Sequence, residues 1–373
     1  MLQKNILILG GSRFIGYSIL LELLKEEYDI TIFNRQITIP PAPFPKQTKF
    51  FRGNRDDPDD LKNLFKQTFD VVIDLSGFKS DHVKPIIKEN SSRIGQYIFI
   101  SSIEVYKKPL SNPITEQSPR IFVKSTYGGD KSLIEEILLN SKKELPVTIF
   151  RPQGVFGPYD PCLSGLLFYR ITKNLPIIVG KNANVQTSYL YISDLIQAIK
   201  LSIGNSKTFG KIYNISGDDK INLFQFINLC GEICSTKPKI KQEETISKYK
   251  KINFIKKRRH VDFFAEWPEF DMICSNNLIK DELKIKFTNL NESLSETYSW
   301  LINNTQHLNY FSLRGENYIL NNISVPFNKK LIWKLIDLLA VSIIKLKNIL
   351  NGFKLLRKIY YLFKNIIVTR KSN

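Results

Sequence analysis

Residues 6–16 read Ile-Leu-Ile-Leu-Gly-Gly-Ser-Arg-Phe-Ile-Gly: an apolar run, a pair of glycines, then a second apolar stretch. No other segment limits the possible folds as much. The run ending at Leu9 suits a strand buried on both faces, and Gly10-Gly11 ends it. From Phe14 the apolar residues Phe14, Ile15, Ile19, Leu20, Leu23 and Leu24 recur at helical spacing. Strand, tight turn and helix in direct succession open a parallel α/β unit. The alternation continues, with strand patterns at 5–9, 29–33, 49–51, 71–75, 96–101 and 147–151. Helical patterns fall between them at 14–24, 61–65, 83–94 and 131–140.

The expected fold class is therefore α/β: a Rossmann-type doubly wound parallel sheet with a smaller α/β substrate lobe and a C-terminal helical extension. The first domain spans 1–160, with strand returns from 187–216. The substrate lobe spans 161–303, with helical patterns at 166–172, 192–203, 222–232, 276–283 and 292–301 and a short strand at 211–215. A basic tail fills 325–373. The four cysteines, Cys162, Cys230, Cys234 and Cys274, are too scattered for a disulfide framework, and no histidine completes a metal site beside Cys230 and Cys234. No metal is expected. The N-terminal run is too short for a signal peptide, and no uncharged apolar stretch reaches membrane-spanning length, so a cytoplasmic protein is expected.

The glycine turn carries the first chemistry. Gly10 permits the sharp turn, and the bare backbone at Gly11 lets a pyrophosphate approach. The helix start at Ser12, Arg13, Phe14 and Ile15 offers amide donors and a positive dipole end, and Gly16 allows close helix–sheet packing. In a strand–turn–helix setting this reads as a dinucleotide site.

The turn resembles that of the extended short-chain dehydrogenase/reductase superfamily, the NAD-dependent epimerase/dehydratase group. Its Gly-Gly-Ser-Arg-Phe-Ile-Gly form is similar to a branch that includes chloroplast RNA-binding members. Arg13 stands where the family usually has a glycine. Further blocks follow in family order over roughly 1–303. Ile73-Asp-Leu75-Ser76-Gly77-Phe-Lys79 resembles the segment that lines the cofactor. Ser102, in Phe99-Ile-Ser-Ser-Ile-Glu-Val-Tyr106, falls at the catalytic Ser/Thr. Tyr127-Gly-Gly-Asp-Lys131 matches the Tyr-x-x-x-Lys pair. Arg151-Pro152 through Gly157-Pro158 and Tyr189 through Asp194 complete the series.

This resemblance implies hydride chemistry at a sugar hydroxyl or keto carbon, with Tyr127 as base, Ser102 orienting the oxygen and Lys131 holding the nicotinamide ribose. A free phenol, with a pKa near 10, is a poor base at neutrality. Lys131 lies one helical turn along, so its ammonium and a positive nicotinamide ring are expected to lower that value. Epimerases, reductases and dehydratases share this trio. Glu104, two residues after Ser102, matches the acid of the dehydratases and keeps that alternative open. It also suits a surface carboxylate beside Lys107 and Lys108.

Cofactor choice rests on the second strand. Asn34 and Arg35 stand where NAD enzymes of this fold place an acid, and Arg13 is close in the turn. NAD(P) is expected, with NADP favoured. Asn54 and Arg55 match the adenine-contacting position. The nucleotide-sugar assignment comes from the resemblance. The arginine that often grips a sugar nucleotide's diphosphate is replaced here by Thr187-Ser188, unless the run Lys256, Lys257, Arg258 and Arg259 substitutes.

The chain carries a formal charge of +19, of which 325–373 supplies +10. Trp333, Tyr360 and Tyr361 accompany the basic residues there. The tail is expected either to lie in an anionic membrane interface or to pack on the enzyme body or on a second subunit of a homodimer. Two further alternatives are a nucleic-acid-binding protein and a non-catalytic cofactor-binding protein. No basic motif interleaved with aromatics supports the first.

Overall fold

A computed structural model describes residues 4–242, apart from 39, 109–110, 161–162 and 181, together with 270–304. The first half runs β1 (Asn5–Leu9), α1 (Phe14–Leu23), β2 (Asp29–Asn34), β3 (Lys49–Arg52), α2 (Pro58–Leu64), β4 (Phe69–Asp74), α3 (Lys84–Asn90), β5 (Ile94–Ile100), α4 (Tyr127–Asn140) and β6 (Val147–Pro152). It continues through β7 (Val155–Phe156), α5 (Ser164–Thr172), β8 (Pro176–Val179), β9 (Leu190–Tyr191), α6 (Ile192–Ser202), β10 (Lys211–Ile215), α7 (Leu223–Ile233) and β11 (Lys239–Gln242). Two helices, α8 (Asn277–Leu283) and α9 (Leu290–Asn303), complete the described elements.

The central sheet has seven strands in the order β10-β6-β5-β4-β1-β2-β3, and every pairing in it is parallel. The chain builds outward from β1 through β2 to β3, then returns to the other side of β1 with β4. Strand order reverses at β1, so the loops after β1 and β4 diverge and leave a crevice at the strands' C-terminal ends. The expected α/β sheet is what forms.

Side-chain alternation explains why β1 reads as an unbroken apolar run. Ile6 and Ile8 join one core with Ile19, Leu20 and Ile32. Leu7 and Leu9 join the core on the opposite face with Phe33, Val72 and Phe99. Both faces are covered, so both need apolar residues.

Several boundaries differ from the sequence expectation. The helix expected over 83–94 is shorter, with 3₁₀ turns at Ser80–His82 and Ser91–Arg93 on either side of α3. Ile94 and Gly95 belong to β5, where Ile94 pairs with Phe69 and a Cβ on Gly95 would lie 2.7 Å from the Asp70 carbonyl oxygen. α2 starts earlier than its apolar pattern, because Asp57 caps the Asp59 amide and Pro58 fits the first turn. α4 starts at Tyr127, capped by Thr126, whose hydroxyl accepts from the Gly129 amide. β9 and the start of α6 lie in the segment 189–194, where the resemblance implies a strand and a helix start; the pairing of β9 with β7 and the β8–β11 pair were not expected.

Cys230, Cys234 and Cys274 are free thiols. Among the described residues no acid, histidine and cysteine cluster could hold a metal, and no helix is long and apolar enough to cross a membrane. Cys162, the run 256–259 and the tail 325–373 lie outside the described residues.

Candidate active site

The crevice at the reversal point is a cleft of about 710 Å³. The glycine turn forms one end. Gly10 and Gly11 have φ of +116° and +80°, a region that favours glycine. A Cβ on Gly16 would lie 2.5 Å from the Gly11 Cα, so α1 can touch the turn only because Gly16 has no side chain. The start of α1 carries no acidic residue and no side-chain cap from Arg13. Its free amides and positive dipole end therefore face the cleft without an anion from the chain itself. This cradle fits the pyrophosphate of a dinucleotide.

Asn34, at the end of β2, turns its amide toward the turn. It donates to the Ser12 Oγ at 2.9 Å and to the Gly10 carbonyl at 3.3 Å, bracing the loop. Arg13 and Arg35 are exposed and line the cleft on either side. Of the residues expected at the cofactor, Gly10 through Gly16, Asn34, Arg35, Asn54, Arg55, Leu75, Ser76, Tyr127, Lys131 and Pro152 all line this cleft.

Gly77 and Lys79 are not in its wall. Gly77 packs behind it, where a Cβ would lie 2.8 Å from Asp74 Oδ2, and Lys79 pairs with Asp56 at 2.5 Å. Arg55 reaches the wall, but its terminal nitrogens turn inward. They grip Asp74 at 2.7 and 3.0 Å and donate to the Ser76 hydroxyl and the His82 carbonyl. Arg55 thus sits in a buried ion pair at the cleft wall where adenine is expected. Asp74 is fully buried and also accepts from the Tyr97 hydroxyl at 2.6 Å. Burial works to raise the Asp74 carboxyl's pKa, but the facing guanidinium and the hydrogen bonds outweigh it and hold it below its ordinary value.

The trio of Ser102, Tyr127 and Lys131 lines the cleft as well. Ser102 closes the turn after β5, where its hydroxyl accepts from the Glu104 amide at 3.2 Å. Tyr127 opens α4, and Lys131 follows one turn later. Two glycines seat this helix start. A Cβ on Gly128 would lie 1.8 Å from the Glu104 carbonyl oxygen, and one on Gly129 would lie 2.0 Å from the Val123 carbonyl oxygen. The backbone of α4 thus rests directly on the turn that carries Ser102. Tyr127 remains 53 % exposed, and the Ser102 hydroxyl acts on its phenol.

Lys131 is only 2 % exposed. Its ammonium donates to the Ile100 carbonyl at 2.8 Å and lies 4.5 Å from the centre of the Phe99 ring. Burial pushes its pKa down from 10.5 to about 8; Asp74 and Glu135 oppose this, and Arg55 reinforces it. The Tyr127 hydroxyl moves the other way. Partial burial raises its pKa above the ordinary value, Ser102 pulls it down, and Glu104 pushes it up. The lowering expected from Lys131 is therefore not produced by the protein's own groups: the ammonium stands 6.0 Å from the Tyr127 ring centre.

Glu104 pairs with Lys108 at 3.2 Å, and its side chain is outside the cleft wall. Behind the trio lies a group that sequence reasoning missed. Glu135, one turn beyond Lys131, accepts from the Ser101 hydroxyl at 2.6 Å and forms a two-point pair with Arg151 at 3.0 and 2.6 Å. Arg151 also donates to the Tyr106 hydroxyl at 2.7 Å. The signal was a lone carboxylate on the buried face of α4, four residues from Lys131. Thr187 and Ser188 are buried, with Thr187 accepting from Gln153 at 2.8 Å.

The chain is similar to known proteins. A family model described as "NAD dependent epimerase/dehydratase family" matches residues 6–88 and 86–216. The chain is 32% identical over 303 residues to the chloroplast stem-loop binding protein of 41 kDa b of Arabidopsis thaliana, covering 73% of this chain and 77% of that one. It is 30% identical over 190 residues to a UDP-glucose 4-epimerase of Neisseria meningitidis, covering 44% of this chain and 56% of that one. Among solved structures, a UDP-glucose 4-epimerase from Thermotoga maritima with UDP-glucose superposes with a TM-score of 0.67 at 18% identity, covering 81% of this chain and 99% of that one. An NAD complex of a dTDP-glucose 4,6-dehydratase from Bacillus anthracis gives 0.67 at 18% identity, covering 81% and 98%. At such identities the structural likeness speaks for the fold.

Proposed function

Because the chain belongs to the NAD-dependent epimerase/dehydratase family, we propose that it is an epimerase or reductase acting on a hydroxyl or keto carbon of a nucleotide-linked sugar. The observation that supports this most is the meeting of Ser102, Tyr127 and Lys131 in the same cleft as the glycine turn. The turn and the start of α1 would hold the dinucleotide's pyrophosphate. When bound, the nicotinamide supplies the hydride acceptor and donor.

The chain's own groups manage the proton and the orientation. The Ser102 hydroxyl holds the reacting oxygen, and the Tyr127 hydroxyl exchanges its proton with that oxygen. Lys131, fixed by the Ile100 carbonyl, adds positive charge near Tyr127 and would hold the nicotinamide ribose. We favour NADP, because Asn34 puts no carboxylate at the end of β2 and Arg13 and Arg35 are exposed there. Arg35→Ala is expected to raise the KM for NADP and leave that for NAD unchanged.

The test is a panel of nucleotide sugars incubated with both cofactors and followed by mass and NMR. An unchanged mass with a new stereoisomer identifies an epimerase, and a gain of two hydrogens a reductase. Loss of water would identify a dehydratase, a reading the Glu104–Lys108 pair weighs against. No product, with Tyr127→Phe equal to the wild type, would end the enzymatic reading. A second reading, binding of a nucleic-acid stem-loop, is favoured by the name of the Arabidopsis relative. Retarded migration of an RNA hairpin at physiological salt would support it. The basic segment 325–373 is assigned to an anionic membrane surface in this proposal, on the strength of its sequence.

A further inference from the structure

The loop after β4 presents Phe78 to the cleft on a firmly held backbone. The Ser76 amide donates to Asp74 at 2.9 Å, and its hydroxyl receives Arg55 at 2.7 Å. The Phe78 amide donates to His82 Nδ1 at 3.2 Å, while His82 Nε2 faces Asp56 Oδ1 at 3.1 Å. Between these anchors Gly77 is packed so closely that a Cβ would lie 2.8 Å from both Asp74 and Phe99.

On this anchored loop the Phe78 side chain is 53 % exposed, yet it lines the cleft with its ring centre 5.2 Å from the Lys131 ammonium. Single exposed apolar residues are ordinary on a protein surface. This one is an aromatic ring fixed in the wall of the cleft beside Lys131, open to a molecule bound there. A pyranose matches such a ring. Its rim carries hydroxyls, while its axial C–H bonds form an apolar face that can lie flat on an aromatic surface. Resting there, it would leave its hydroxyls to Ser102 and Tyr127.

We propose that Phe78 is a specificity-determining residue of the sugar subsite: its ring carries the C–H face of a pyranose and selects cyclic sugars that present one. This rests on the nucleotide-sugar reading above. The test measures binding of UDP-glucose, UDP-galactose, UDP and NADPH to the wild type and to Phe78→Ala, Phe78→Tyr and Phe78→Trp. Phe78→Ala is expected to weaken the two sugar nucleotides about tenfold, the scale of one aromatic contact, while UDP and NADPH stay within about twofold. The Tyr and Trp variants restore binding. An equal loss for UDP, a loss confined to NADPH, or unchanged sugar-nucleotide binding overturns the proposal and leaves the wider reading standing. A wild type that binds neither sugar nucleotide overturns both.

Discussion

Gly128→Ala tests how the active site is assembled. The added methyl would lie 1.8 Å from the Glu104 carbonyl oxygen, whereas real Cβ atoms stay beyond about 3.0 Å. Neither partner is the end of a flexible side chain, so the first turn of α4 must retreat by roughly 1 Å from the turn carrying Ser102. A displacement of that size at a reacting group can cost on the order of 100-fold in rate. The expected result is a kcat lowered about 100-fold, with a stability loss of about 1–3 kcal/mol from overpacking. The Kd for the dinucleotide should rise far less than kcat falls, because the glycine turn and α1, which would hold its pyrophosphate, lie elsewhere. Activity on whichever substrate the nucleotide-sugar panel identifies, fluorescence titration with the reduced dinucleotide and urea unfolding together resolve these terms. An ultraviolet titration of Tyr127, taken against Tyr127→Phe, gives a readout without substrate. Losing Ser102 as a partner should raise the phenol's pKa further. Full kcat with an unmoved phenol would refute the claim that the helix seat sets the Tyr127–Ser102 geometry.

Other expectations follow from the buried charges. Arg55→Ala leaves Asp74 buried without its cation and should cost about 3–5 kcal/mol in urea unfolding at pH 7. Lys131 has a folded pKa near 8 against 10.5 unfolded, so the unfolded chain binds more protons between those values. Its charging therefore costs stability below pH 8, by roughly 3 kcal/mol, and the cost fades as pH rises toward 10.5. Lys131→Met should remove that slope in a pH series of urea midpoints; an identical slope in the variant would count against it. The wild-type Tyr127 phenol should titrate above pH 10 in the free protein and move down when oxidised cofactor is added, as ultraviolet difference spectra would show. A chain ending at residue 325 should lose affinity for phosphatidylserine vesicles but not for neutral ones, measured by co-sedimentation.

The parallel sheet was legible because both faces of its inner strands are covered, which turns each into a short apolar run between helical patterns. The cleft was legible because glycine spacing and the Tyr-x-x-x-Lys step mark backbone positions. What sequence did not give were pairings that depend on distant segments. Arg55 reads as an adenine contact from its place after β3, but nothing local shows that its terminal nitrogens bind Asp74, a lone acid in an apolar strand. Glu135 and Arg151 meet only once α4 crosses behind β6. The glycines at 128 and 129 read as spacers within the Tyr-x-x-x-Lys step, and their need shows only against Glu104 and Val123. The two-residue strands β7 and β9 are too short to leave a period at all.

Strand order also governs how this chain can be made. β1, β2, β3 and β4 come from the first 74 residues and are neighbours in the sheet, so that half can assemble while synthesis continues. Among the described residues β10, from residues 211–215, is the last strand to join the central sheet and the partner of β6 on its outer side. Until the ribosome has passed that point, β6 offers an open hydrogen-bonding edge to any neighbouring nascent chain. Truncations upstream of residue 211 should therefore aggregate during expression, and holdase chaperones should be needed most in that interval.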